Sequence, residues 1–163
     1  MPTETELLEK FVDEADKNPT VMLGLVGVDQ SHTQPMAAHI GSKKADLIYF
    51  FTTQDNRLVE HMGETHEALI TYASKGHDLF ACIHGTVSLE TEATVAQRFW
   101  NSSVARWYKD GLEDPTLAFL RFDAREAEFW RATFGDKVEF RLASLFSGTA
   151  AGAASDKNAT VQY

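Results

Sequence analysis

The chain has 163 residues, 44% of them hydrophobic and 24% charged, which fits one globular domain and excludes a disordered chain. Its formal net charge of -9 excludes a broad basic surface for nucleic acid or anionic lipid, so an anionic ligand would need a local cluster of donors. The one cysteine, Cys82, excludes an internal disulfide, and no stretch approaches the roughly 18 apolar residues of a membrane-spanning helix.

In chain order, Thr3 and Glu6 form a capping-box pattern, and Leu7, Leu8, Phe11, Val12 and Ala15 then recur on one helical face. "KNP" at 17–19 stops this helix. The acidic opening "MPTETELLEK" does not read as a secretory leader, so a cytoplasmic, reduced protein is expected. "VMLGLVGV", 21–28, reads as a strand buried on both faces. "DQSHT" is a turn, and "QPMAAHI", 34–40, is a second strand that tolerates Pro35 where no ladder donor is needed. It is expected to pair beside the third strand, "LIYFFTT", 47–53, which a short helix over about 56–63 follows.

"HEALITYAS" and "LFACIHGTVSLE" are the fourth and fifth strands, joined by the tight turn "KGHD". Gly85 marks a bulge or barrel corner, and Cys82 reads as a small core residue rather than a nucleophile. A helical region runs from "TEATVAQRFW" through "NSSVARWY", and "KDGLEDP" is a compact loop. Two long strands follow, "TLAFLRFDAREAEFWRA" and "KVEFRLASL", the first with a helical kink near "AREAE". One domain is therefore expected over 1–146, and the Ala-, Gly- and Ser-rich tail 147–163 is either mobile or draped on a neighbour. Six or seven strands joined mostly by short turns, with helices at the margins, imply a mainly β fold, a small antiparallel barrel filled by its own side chains. A larger ligand then lies outside the barrel, in a groove or between subunits.

The strand end and helix start "FFTTQDNR" carry the first candidate site. Thr52 and Thr53 offer hydroxyls, Asn56 an amide, and Arg57 a charged fork suited to phosphate. The first turn of a helix adds unpaired N–H groups. Asp55 can cap that helix and point away from an anion. The plain alternative is a strand, a turn and a helix with surface threonines and a solvated arginine. In the second strand, Pro35 leaves a backbone gap that a flat ligand can approach, and Met36 offers a polarizable contact for a ring; an edge proline in a barrel strand is the plainer reading. Trp100, Trp107 and Tyr108 form an aromatic group suited either to a stacking wall or to packing over the barrel mouth. The dispersed histidines give no metal motif, and there is no nucleophile elbow, Walker loop or GxGxxG.

Taken together, "QPMA" before a strand ending "FFTT", and "WYKDGLEDPTLAFLRF" followed by "AEFW", resemble the general stress protein 26 branch of the pyridoxamine 5'-phosphate oxidase-like superfamily. The resemblance spans the first helix to about Leu145. It implies an FMN-binding split β-barrel, a homodimer with its cofactor at the subunit interface. It further implies that Gln34, Pro35, Met36 and Ala37 lie along the flavin ring, and that Phe51, Thr52, Thr53, Asn56, Arg57 and Leu58 form the phosphate segment. Trp107 of a second copy would close the site. Gln34 stands where the family has arginine, and Leu58 where it has lysine, which leaves Arg57 as the one cation of that segment. The function implied is that of an FMN-dependent oxidoreductase of unidentified substrate. The alternatives are a flavin-binding stress protein without turnover, or a dimeric scaffold for another ligand such as haem or a deazaflavin. True pyridoxamine phosphate oxidation is not expected, since the tail offers only Lys157 as a cation.

Overall fold

A computed structural model describes residues 2–28, 32–133 and 137–143. The centre of the expected turn at 29–31 and the tail at 147–163 lie outside the described residues, as does the end of the last expected strand at 144–145.

Helix α1 (Glu4–Lys17) starts on the capping box read from the sequence. The Glu6 amide donates to Thr3 Oγ1 at 3.2 Å, and the Thr3 amide donates to Glu6 Oε2 at 2.6 Å. Its apolar stripe, Leu7, Leu8, Phe11 and Ala15, is buried against the barrel. The Lys10 ammonium binds the Asp78 carboxylate, tying α1 to the turn before β6.

The strands are β1 (Thr20–Leu25), β2 (Gln34–Ala37), β3 (His39–Ile40), β4 (Leu47–Thr53), β5 (Thr65–Ala73), β6 (Leu79–Leu89), β7 (Leu117–Thr133) and β8 (Lys137–Ala143). Helix α2 (Arg57–Met62) follows β4. Helices α3 (Ala93–Phe99) and α4 (Ser102–Ala105) lie between β6 and β7. The sheet is antiparallel in the order β2-β1-β5-β6-β7-β4-β3, with β8 added to β7. Its two ends, β2 and β3, are consecutive in the chain and separated by Ala38 alone. The sheet therefore curls until one segment, 34–40, serves both ends, which is the split barrel expected. With that segment counted as one strand, the described strands number seven.

This closure corrects the expected pairing of 34–40. Its first half pairs with β1, with Met36 opposite Val21, and only His39 and Ile40 pair with β4. At the switch, the Ala38 amide leaves both ladders and donates to the Pro19 carbonyl at 2.9 Å. β2 is thus an end strand of the sheet, which is why Pro35 is tolerated.

β1 is shorter than expected and ends at Leu25, because Gly27 turns the chain with a φ of 72°. Thr20 and Met22 face outward, so its first half alternates rather than being buried on both faces. The helical region after β6 breaks at Trp100, and α4 restarts on Asn101, which accepts from the Ser103 and Val104 amides.

No helical kink interrupts β7. Its irregularity is a bulge: His84 pairs with Glu126 but Gly85 pairs with Ala124, so Arg125 is the extra residue. Gly85 is required there, since a Cβ would lie 2.1 Å from the Asp123 carbonyl oxygen. Cys82 is not a core residue. β6 turns Ala81 and Ile83 inward and Cys82 outward, where Sγ lies 3.6 Å from His84 Nε2 and burial raises the thiol pKa.

The main core fills the barrel with Leu23, Ile48, Phe50, Ile70, Ile83, Leu120, Phe122 and Phe129, closed at one end by α1. A second, smaller core lies on the outer face of β4, where Tyr49, Phe119 and Ala96 are buried with Phe51, Val95, Phe99 and Leu112 around them. It forms because β4 alternates aromatic residues outward as well as inward, and α3 covers the outer set.

Candidate ligand groove at the barrel seam

Among the described residues no ladder joins β2 to β4, although both border the place where the sheet closes. β4 pairs with β3 only at Ile48 and Tyr49, and its tip, Phe50–Thr53, pairs with β7 alone. Beside this seam runs an open groove of about 1350 Å³. It exceeds the ~300–1,000 Å³ of an ordinary small-molecule pocket, so it has room for more than one occupant. Pro35, Met36 and Ala37 from β2 and Phe51, Thr52 and Thr53 from β4 line it. The flank of α1, the loop 41–43 and helices α3 and α4 complete its walls.

The two segments singled out in the sequence for a ring and for a phosphate therefore share one groove. Each is placed by strand geometry. Met36 points inward and is 8% exposed, while Pro35 and Ala37 on either side face outward. Thr52 is also nearly buried, and its carbonyl accepts from the Tyr108 hydroxyl at 2.8 Å. Burial pushes the Tyr108 pKa up from 10.0 to about 12, so it stays a neutral donor.

The remaining expected residues stand apart. Gln34, Arg57 and Leu58 line a separate small crevice with His32 and His61. Asn56, not Asp55, caps α2: its Oδ1 accepts from the Leu58 amide at 2.9 Å and from Gln34 Nε2 at 2.7 Å. The Gln34–Asn56 hydrogen bond links the crevice to β2. Asp55 instead accepts from the Thr53 hydroxyl at 2.5 Å. Leu58 is 3% exposed and belongs to the main core. Its side chain turns inward as the apolar anchor of α2, so it does not reach the position a phosphate-binding lysine would need.

The aromatic group divides. Trp100 packs edge-on against Phe51 at 5.5 Å and lies 5.9 Å from Tyr108, so those two serve packing. Trp107 is 81% exposed at the groove wall. His39 also lines the groove, between the rings of Phe51 and Phe99, and burial lowers its pKa. Lys43, Arg98, Phe99 and Arg106 are groove residues that sequence reading passed over. They come from a loop and two short helices brought to the seam only by tertiary packing, and local pattern carries no signal for that. Among the described residues no three His, Cys, Asp or Glu side chains gather as a metal site would require, and no helix is long and apolar enough to cross a membrane.

An antiparallel barrel closed through one strand, with a groove beside the unladdered seam, defines a split β-barrel. The sequence pattern of the pyridoxamine 5'-phosphate oxidase-like family matches residues 6–154, and the chain belongs to that family. No curated protein sequence matches it significantly. Among solved structures, a general stress family protein of Xanthomonas campestris pv. campestris is 38% identical over 94% of this chain and 100% of its own, with a TM-score of 0.75. The general stress FMN/FAD binding protein of Xanthomonas citri is 39% identical over 91% of this chain and 99% of its own, with a TM-score of 0.73. A Clostridium acetobutylicum protein related to general stress protein 26 shares the fold at 16% identity and a TM-score of 0.70, over 86% of this chain and 96% of its own.

Proposed function

We propose that this chain is a flavin-binding split barrel of the general stress type, holding FMN in the seam groove. The observation that carries the reading is the convergence of Pro35–Ala37 with Phe51–Thr53 on one open groove. The Xanthomonas citri relative, named for FMN/FAD binding, supports it at 39% identity. The donor chemistry fits the cofactor. β2 offers an end-strand backbone and the Met36 thioether to a ring, and the β4 tip with Asn56 and Arg57 offers hydroxyl, amide and guanidinium to a phosphate. Leu58 is withdrawn from that set.

The groove is open on one side, and Trp107 stands exposed on its wall. A second copy of the chain that brings its Trp107 over the groove would cover both, so a homodimer with two flavins at the interface is part of the proposal. A cytoplasmic setting is proposed with it.

When bound, the flavin supplies hydride or electron transfer. This chain's residues hold it, exclude water and leave one face open to a partner molecule. An oxidoreductase role follows if a nicotinamide nucleotide bleaches the bound flavin rapidly without oxygen; failure to bleach with either nucleotide assigns a flavin-holding role without turnover. The first test is the visible absorbance of the purified full chain after FMN addition and desalting. Retained flavin bands support the proposal. A folded but colourless protein overturns it and reopens the search to haem or a deazaflavin.

A further inference from the structure

We propose that the groove contains a second subsite, built by Lys43 and Arg98, which takes the carboxylate or phosphate of a small planar molecule beside the flavin. The inference rests on the groove's length and on where its cations lie. β4 runs along the groove for seven residues, so its ends are about 20 Å apart at ~3.3 Å per residue. The Thr52–Thr53 tip and Arg57 belong to one end. The loop 41–43 belongs to the other, since the Gly41 amide donates to the Leu47 carbonyl at 2.8 Å.

Arg98 reaches that far end from α3. Its Nη2 donates to the Gly41 carbonyl at 3.0 Å, and its guanidinium sits 5.1 Å from the centre of the Phe99 ring. Two fixed contacts hold the fork in place, so little side-chain entropy remains to be lost on binding an anion, and the rest of its donors stay available. Lys43 rides on a turn that is itself ordered: the Ser42 hydroxyl donates to the Asp46 carboxylate, and the Ala45 amide donates to the Ser42 carbonyl at 3.1 Å.

Among the described residues neither Lys43 nor Arg98 forms an ion pair, in a chain with 24 acidic and 15 basic residues. Asp13 and Asp16 also line the groove, from α1, so its charge is polarised and an anion is favoured only beside the two cations. Phe99 and His39 supply flat apolar surface next to them. A planar ligand with one anionic end fits this combination of a ring wall and a charged fork.

The subsite belongs to the flavin reading but is tested separately from it. The full chain is titrated with benzoate and with inorganic phosphate, each with and without saturating FMN, and FMN binding is followed independently by its visible bands. Benzoate is expected to bind whether or not FMN is present. Lys43→Ala and Arg98→Lys are each expected to weaken benzoate about tenfold, the scale of one charged hydrogen bond, and to leave FMN affinity unchanged. Phosphate binding that is lost in the same variants would assign the anion itself, and benzoate binding alone would assign a carboxylate on a ring; both support the subsite. Competition between benzoate and FMN would give these cations to the flavin and overturn it. Benzoate binding that neither variant weakens, or no binding of either probe, also overturns it. A protein that takes benzoate but not FMN would refute the flavin reading and leave the anion subsite standing.

Discussion

The Tyr108 hydroxyl donates to the Thr52 carbonyl at 2.8 Å, which pins the segment after α4 to the strand tip that the flavin phosphate is proposed to use. Both groups are buried, so Tyr108→Phe leaves a carbonyl without its donor and is expected to cost about 1–3 kcal/mol in denaturant unfolding. It should also weaken FMN, because the Thr52–Thr53 tip loses its outer support. Tyr108 carries a proton more firmly in the folded chain than in the unfolded one. Its contribution is therefore complete below pH 10.0 and falls away as the pH rises towards about 12. A stability profile of Tyr108→Phe should lack that alkaline loss.

Arg57→Ala is expected to weaken FMN about tenfold or more, the value of a charged hydrogen bond. An unchanged affinity would move the phosphate away from the α2 end of the groove. Restoring a cation at 58 is the wrong way to strengthen the site. Leu58→Lys would place an ammonium in the main core, and a marked loss of thermal stability is expected. Gln34→Arg is the variant to compare for tighter flavin binding, because Gln34 is only partly buried and lies next to Asn56.

Gly85→Ala tests the bulge. The added methyl would meet the Asp123 carbonyl oxygen at 2.1 Å and the Phe122 ring at 2.9 Å, so the backbone must move. A loss of about 1–3 kcal/mol or more in an unfolding titration is expected. A stable Gly85→Ala variant would mean that the β6–β7 register can slip to accommodate it.

Tyr72 is buried under α1, edge-on to Phe11 at 5.3 Å, and its hydroxyl has no hydrogen-bond partner among the described residues. Removing the oxygen removes a desolvated polar group. Tyr72→Phe is expected to leave stability unchanged or raise it by about 1 kcal/mol. A less stable variant would show that an ordered water satisfies the hydroxyl.

His39 is held neutral by burial between two aromatic rings. Its folded pKa lies below 6.5, so the unfolded chain takes up the proton first. The stability it confers is full above about pH 6.5 and is lost as the pH falls through the lower, folded value. His39→Gln should flatten the acid limb of the stability profile, as measured by thermal unfolding across that range.

Much of this molecule was legible in the sequence because local rules decide it. The capping box at Thr3 and Glu6 sets the start of α1, and the glycine in β6 does mark a bulge. "QPMA" and "FFTT" do meet across one groove. What pattern missed was set at a distance. Nothing in "QPMAAHI" reveals that its two halves pair with different strands, since the switch at Ala38 depends on where the curled sheet meets itself. The charged run "AREAE" reads as helix by spacing, yet β6 and β8 supply ladder partners along it and hold it extended. Arg57 and Leu58 are adjacent in sequence but turn to different surroundings, because α2 must bury one face to stay attached.

The seam has a consequence for how such a protein can change. Elsewhere in the barrel a side chain is constrained by ladder neighbours on both flanks, and a substitution disturbs strand pairing as well as packing. Along β2 and the free edge of the β4 tip, one flank faces the groove instead. Residues there can be exchanged with little effect on folding, so ligand preference can drift while the scaffold stays fixed. Gln34 occupies such a position: partly exposed, bonded through its side chain to Asn56, and opposite Leu23 on only one side. The gap in the hydrogen-bonding pattern thus marks the part of the chain that is cheapest to reprogram.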